Sequence, residues 1–216
     1  MPSLRSSWVS RAPRFHSNAI QTFTGLAYDF ENPTVDMIDF RDIAHALSNA
    51  CRFAGHVERF YSVAEHCVRV SYVLEAWYPS FLKFKLIPAV GLLHDAHEAY
   101  VWDCPRPFKP LFAKADGENV YEAFAAKADD AIAHKFGLLP TWFHDEEIKR
   151  ADDCLLVAEA KLLMHYGPEE WAGWTEKYSK VEEPPHSAWW PASVGWDPAF
   201  AEEAFTHRAK EVGLCV

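Results

Sequence analysis

Three stretches of this chain put metal-competent side chains where apolar ones belong. In the run Gly91-Leu92-Leu93-His94-Asp95-Ala96-His97-Glu98, the residues Ile87, Val90, Leu93 and His94 fall at helical spacing. His94 and Asp95 therefore sit on the side of a helix that should face a core. An unpaired carboxylate there costs several kcal/mol or becomes neutral, and a divalent cation shared with His94 removes that cost. Glu98 follows three residues after Asp95 and four after His94, on the same face. His66 lies on a second apolar stripe with Val63, Cys67, Val70, Leu74 and Trp77. Asp152 lies on a third, between Ile148 and Leu155, with Asp153 rotated away. One cation with two imidazole nitrogens and two carboxylate oxygens explains all of these positions together, so His66, His94, Asp95 and Asp152 are the candidate metal ligands. Such mixed ligation suits Co, Mn, Fe, Ni or Zn without choosing among them.

The elements that must carry these residues are mostly helical. Ser62-Val63-Ala64-Glu65 is a capping box that starts a helix running to about Tyr78, before Pro79. The next helix is expected from about Phe81, with Pro88 as an early kink and the His-Asp pair inside it. Another runs from Asp39 to Asn49. Residues from about Leu111 to Phe136 read as helical with a break near Asp116-Gly117 and a stop at Gly137, and a further helix starts near Thr141 and ends at His165-Tyr166-Gly167-Pro168. A short last helix spans about Ala199 to Val212. Between Ala19 and Phe40 the pattern favours extended segments or a short hairpin.

Two irregular stretches add charge. The segment from Cys51 to Tyr61 has no clean period and combines Arg52 and Arg59 with Phe53, Phe60 and Tyr61. A guanidinium with a neighbouring ring is what a planar, phosphorylated ligand needs. After Tyr100, the prolines at 105, 107 and 110 forbid a regular helix. That stiff loop begins one turn beyond Glu98, so Asp103, Arg106 and Lys109 should overhang the His-Asp pair.

With 216 residues, of which 50% are hydrophobic, the chain can bury one sizeable core, and a single domain is expected. A net charge of −10 argues against binding a nucleic-acid polymer. The five cysteines form no CxxC pair and are odd in number, which indicates neither a zinc ribbon nor a disulfide framework and fits a cytoplasmic protein. No apolar run approaches the roughly 20 residues of a membrane span. The first twenty residues read as a frayed basic terminus. The aromatic content makes a homo-oligomer an open expectation.

The order His66, His94-Asp95, Asp152 on consecutive helices resembles the HD-domain metal-dependent phosphohydrolases. Ser62-Val63-Ala64-Glu65-His66, His94-Asp95-Ala96-His97-Glu98 and Asp103-Cys104-Pro105-Arg106-Pro107-Phe108-Lys109 are similar to stretches of the bacterial 5′-deoxynucleotidases and phage dATP triphosphohydrolases of that superfamily. The likeness covers Asp39 to about Met164. It implies an all-α fold, a single HD-domain helical bundle over residues 39–166. Outside the likeness, the residue pattern gives an extended or hairpin segment at 1–38 and a Trp/Pro-rich extension carrying a short helix at 167–216. It also implies that Glu98 and Asp103 work on the attacking water while Arg52 and Lys109 hold the phosphate. The expected activity is hydrolysis of the 5′-phosphate ester of a (deoxy)nucleotide, a small-molecule substrate, giving nucleoside with phosphate or tripolyphosphate. A second cation, Mg, would accompany a triphosphate, which Arg106, Lys109 and Lys114 could serve. In the nucleotidases the upstream Arg is usually followed by Trp, whereas Phe53 follows Arg52 here, so base preference does not carry over. His97 and His56 match no required ligand and read as neighbours of the site or surface residues. An alarmone hydrolase and a non-catalytic nucleotide-binding protein are the competing readings.

Overall fold

The computed structural model describes residues 17–79, 86–171, 173, 176, 178–189 and 193–216. The basic N-terminal segment up to residue 16 lies outside the described residues. What is described is all-α apart from one short hairpin, in which β1 (Ala19–Gln21) pairs antiparallel with β2 (Ala27–Asp29), Ile20 opposite Tyr28. Tyr28 is buried and stacks on Tyr100 at 4.1 Å between ring centroids, which fastens the hairpin to the helical body.

The helices are α1 (Phe40–Asn49), α2 (Val63–Trp77), α3 (Ile87–Leu93), α4 (Glu98–Val101), α5 (Val120–Phe136), α6 (Glu146–Leu163) and α7 (Pro198–Glu211). Their ends follow from local chemistry. The side chains of Asp39, Ser62, Asn119 and Asp197 each accept a first-turn backbone N–H, and Gly137 closes α5 in the left-handed region at φ 69°. α2 is buried on every side from Val63 to Ser71, as a helix must be that packs against α1, α3, α6 and α7 together. The segment from residue 167 onward is therefore no loose appendage, because α7 lies on α1 and α2. Among the described residues, no helix is long and apolar enough to cross a membrane.

Three boundaries differ from expectation. The helix around the His-Asp pair is Ile87–Leu93, with Pro88 in its first turn instead of at a kink; its expected start near Phe81 lies outside the described residues. His94 caps that helix and Asp95 stands in the turn beyond it. The stretch expected to be helical from Leu111 becomes α5 only at Val120. Gly117, at φ 89°, turns the chain so that Ala113 and Asn119 bridge across a tight loop. Before α6, residues Pro140–His144 form a tight 3-10 turn, and the α-helix begins at Glu146 instead of near Thr141.

Candidate metal centre and active site

His66 comes from the first turn of α2, His94 and Asp95 from the turn after α3, and Asp152 from the middle of α6. His66 and His94 are both buried, and each has its Nδ1 engaged: His66 with Glu159 Oε1 at 2.6 Å, His94 with the Gly91 carbonyl at 2.8 Å. A carbonyl only accepts, so in the neutral imidazole of His94 it is Nδ1 that carries the proton and Nε2 that has the lone pair; the carboxylate dictates the same tautomer for His66. Both Nε2 atoms are buried without a hydrogen-bond partner. They approach carboxylates without hydrogen-bond alignment: His94 Nε2 lies 3.1 Å from Asp95 Oδ2, and His66 Nε2 lies 3.8 Å from the same oxygen and 3.2 Å from Asp152 Oδ1. Two imidazole Nε2 atoms and two carboxylates that converge without hydrogen-bond geometry fit a divalent cation. His66, His94 and Asp95 bring ligand atoms within 4.8 Å of one another. Asp152 joins them through His66, its other oxygen being held by Arg106.

The electrostatics agree with this donor set. Burial disfavours the charged form of His94, but the Asp95 carboxylate outweighs it and holds the imidazole pKa well above its ordinary value; Asp95 is correspondingly held low against its own burial. In the metal-free protein a proton therefore stands between the two groups a cation would bridge.

Behind His66 lies a residue that the sequence analysis missed. Glu159 is fully buried and accepts from Arg52 Nε at 3.1 Å, Tyr61 Oη at 2.8 Å and His66 Nδ1. Burial opposes its charge, yet Arg52 and His66 keep its pKa low. The available signal was its place two helical turns after Asp152, among the buried Leu155, Leu156 and Leu163. Arg52 is consequently braced, with Glu159 on one side and Asp95 Oδ2 at 3.6 Å on the other.

Asp95 and Asp152 line a cavity of about 760 Å³. Arg52, Phe53, Glu98, Asp103, Arg106 and Lys109 all line it with them, whereas the buried His66 and His94 do not; His94 borders a neighbouring cavity with Asp95 and Asp152. The structure adds Trp171 and Tyr178, from beyond residue 166, to the same wall. Burial raises the pKa of both Glu98 and Asp103, and the nearby Asp95 carboxylate adds to the shift in each. Lys109 Nζ sits 5.2 Å from the Tyr121 ring centroid and makes no ion pair among the described residues.

Arg106 is neither a free phosphate contact nor a solvated residue. It pairs with Asp152, reaches Asp153 Oδ1 at 2.5 Å and donates to Tyr178 Oη at 2.9 Å. Asp153, expected to stand apart, thus holds the arginine that backs a candidate ligand. His97 is buried, not a surface residue, with Nδ1 3.1 Å from Asp129 Oδ1.

Backbone strain is concentrated at the same place. Among the described residues, the non-glycine positions with positive φ are Phe53 (55°), Ala54 (52°) and Trp102 (53°), immediately after Arg52 and immediately before Asp103. Such conformations cost on the order of 1–3 kcal/mol each and persist where the surroundings over-determine them.

Comparison with known proteins finds a relative in Escherichia coli (strain K12), the uncharacterized protein YfdR. It is 38% identical over 144 residues, which cover 67% of this chain and 71% of that one. No family model matches the chain.

Proposed function

From the premise that the chain belongs to the family of Escherichia coli YfdR, we propose that it is a metal-dependent phosphohydrolase of the HD type that hydrolyses the 5′-phosphate ester of (deoxy)nucleotides. The observation that carries this reading is the pair of orphaned, buried imidazole Nε2 atoms beside two carboxylates, Asp95 and Asp152, which line a cavity that also holds phosphate-competent cations. His66, His94, Asp95 and Asp152 would hold the ion. When bound, a divalent cation supplies Lewis acidity toward a phosphoryl oxygen and lowers the pKa of a water.

The remaining steps belong to the chain. Glu98 and Asp103, carboxyls with raised pKa values on the same cavity, orient the attacking water and take its proton. Lys109 offers an ammonium without a competing carboxylate, and Arg52, fixed by Glu159, presents its guanidinium toward the phosphoryl oxygens. Phe53 and Trp171 supply aromatic surface for a planar base. Retention of both Glu98 and Asp103 at the cavity favours catalysis over mere binding.

Charge favours one phosphate over three. Of the cations considered for a longer chain, Arg106 is committed to Asp152 and Asp153, and Lys114 to Glu118 at 2.6 Å. Only Lys109 is left for the additional charge of a triphosphate. The test is to incubate Mn- or Co-loaded protein with a panel of nucleoside mono- and triphosphates and an alarmone, and to identify the products. Nucleoside and orthophosphate from monophosphates are expected. Tripolyphosphate from triphosphates alone would reverse the size assignment, and no product from any of them would leave a binding protein.

A further inference from the structure

The first turn of α5 reaches two residues given a part in the hydrolysis above. Tyr121, only 6% exposed, donates from its hydroxyl to the Trp102 carbonyl at 2.9 Å, directly before Asp103. Its ring centroid lies 5.2 Å from Lys109 Nζ. Asn119, which caps the same turn, donates from Nδ2 to the Lys109 carbonyl at 2.8 Å. The start of α5 thus fastens the Pro-rich loop on both sides, at Trp102 and at Lys109. Tyr121 itself borders the neighbouring cavity with Asp95, Lys109 and Asp152, and not the larger one.

The hydroxyl acts where the backbone is strained. Trp102 ends α4 at φ 53° and ψ 161°, at the edge of a region essentially reserved for glycine. Its indole is 65% exposed, so side-chain packing contributes little to holding that conformation. A buried hydrogen bond and the strain of one such residue are of the same order, so loss of the bond lets the backbone relax and carries Asp103 with it. Burial and the nearby Glu98 carboxylate keep the hydroxyl protonated, and it stays a donor.

We propose that Tyr121 is a positioning residue for the proposed hydrolysis: its hydroxyl holds the strained Trp102 backbone that aims Asp103, and its ring seats the Lys109 ammonium. This rests on the roles given above to Asp103 and Lys109. The two contacts separate by kinetic constant. The hydroxyl serves kcat through the residue that works on the water, and the ring serves KM through the residue that holds the phosphate.

The test uses full-length protein and two measurements. One is turnover by Mn- or Co-loaded protein of the monophosphate that wild type hydrolyses best; the other, without metal or nucleotide, is amide hydrogen exchange over residues 102–109. Tyr121→Phe keeps the ring and should lower kcat about tenfold with KM nearly unchanged. Exchange over residues 102–109 should quicken about tenfold in that variant, while exchange in α2 stays as in wild type. Tyr121→Leu should raise KM as well, and Tyr121→Phe decides even if Tyr121→Leu fails to fold. Trp102→Gly adopts the same backbone without strain and should turn over like wild type. In that background Tyr121→Phe should lower kcat by less than about twofold, whereas a merely structural role would cost the same in both backgrounds. Unchanged kcat or unchanged exchange in Tyr121→Phe, or an equal loss in the two backgrounds, overturns the proposal and leaves the preceding reading intact. Quickened exchange without any wild-type turnover sinks the preceding reading, and with it the roles of Asp103 and Lys109, while the hold of Tyr121 on the Trp102 backbone stands.

Discussion

Glu65 and His66 are adjacent on α2, both fully buried, and they head two polar clusters of opposite character. Around Glu65 every group is answered. Arg69 donates to it at 2.7 Å and to the Ser193 carbonyl at 3.1 Å, and its guanidinium lies between the rings of Trp189 and Trp196. The N–H groups of Gly195 and Trp196 complete the carboxylate. This cluster bolts the tail of the chain to the core. Around His66 and His94 the Nε2 atoms are left unanswered, and the carboxylates crowd them without alignment. Burial of charge is common to both regions, so burial does not mark a site. Unsatisfied donors sharing one space do, because a buried polar group without a partner costs about 1–3 kcal/mol and persists only where something else completes it.

The contrast breaks most visibly with a matched pair of substitutions. His66→Gln should abolish stoichiometric binding at the proposed four-donor site and lower the proposed phosphohydrolase turnover by on the order of 10³-fold, a few kcal/mol of lost charge stabilisation. Its melting temperature should stay close to that of metal-free wild type. Glu65→Gln should do the reverse, costing about 3 kcal/mol of stability by leaving Arg69 buried without a counter-charge. At a temperature where it is folded, its metal content should be normal. If metal analysis and thermal melts returned the two profiles exchanged, the assignment of the clusters would be wrong.

Smaller effects sharpen the comparison. Glu159→Gln leaves all four ligands in place but weakens the group that orients His66, so metal affinity should fall about 10- to 100-fold in a competition titration with a chelator. An unchanged affinity would make Glu159 only a brace for Arg52. The smallest effect is on pH. His94 has its pKa raised above the ordinary 6.5 in the metal-free protein. The stability it contributes is therefore fully present below about pH 6.5 and is lost as pH rises through the raised folded value. Metal binding must displace that proton, so affinity should rise about tenfold per pH unit across this window and then level off. The gap in melting temperature between metal-loaded and metal-free protein should widen with it. A pH-independent gap would mean that His94 carries no proton in the metal-free state.

Asp152 was legible in the sequence because a carboxylate on an apolar stripe is anomalous under helical periodicity alone, and it needs no known partner before it looks misplaced; Asp95 drew notice on the same ground, although it stands in the turn after α3. The end chemistry of the helices was legible for a similar reason: Ser62 and Gly137 act on their own backbone within a few residues. Arg106 shows where such reasoning stops. Its loop and its neighbours to either side are local, but the groups that commit it, Asp152, Asp153 and Tyr178, lie more than forty residues away and meet it only in the folded chain. The same holds for Glu159, whose glutamate on a helix looks unremarkable until Arg52, Tyr61 and His66 arrive from other elements to bury it. Periodicity and capping are properties of one segment, so sequence determined most of the helices and the stripes that carry His66 and Asp152, but not the end of α3, beyond which Asp95 stands. Ion pairing between segments depends on which faces are brought together, and that was decided by the packing of α2 against α3 and α6.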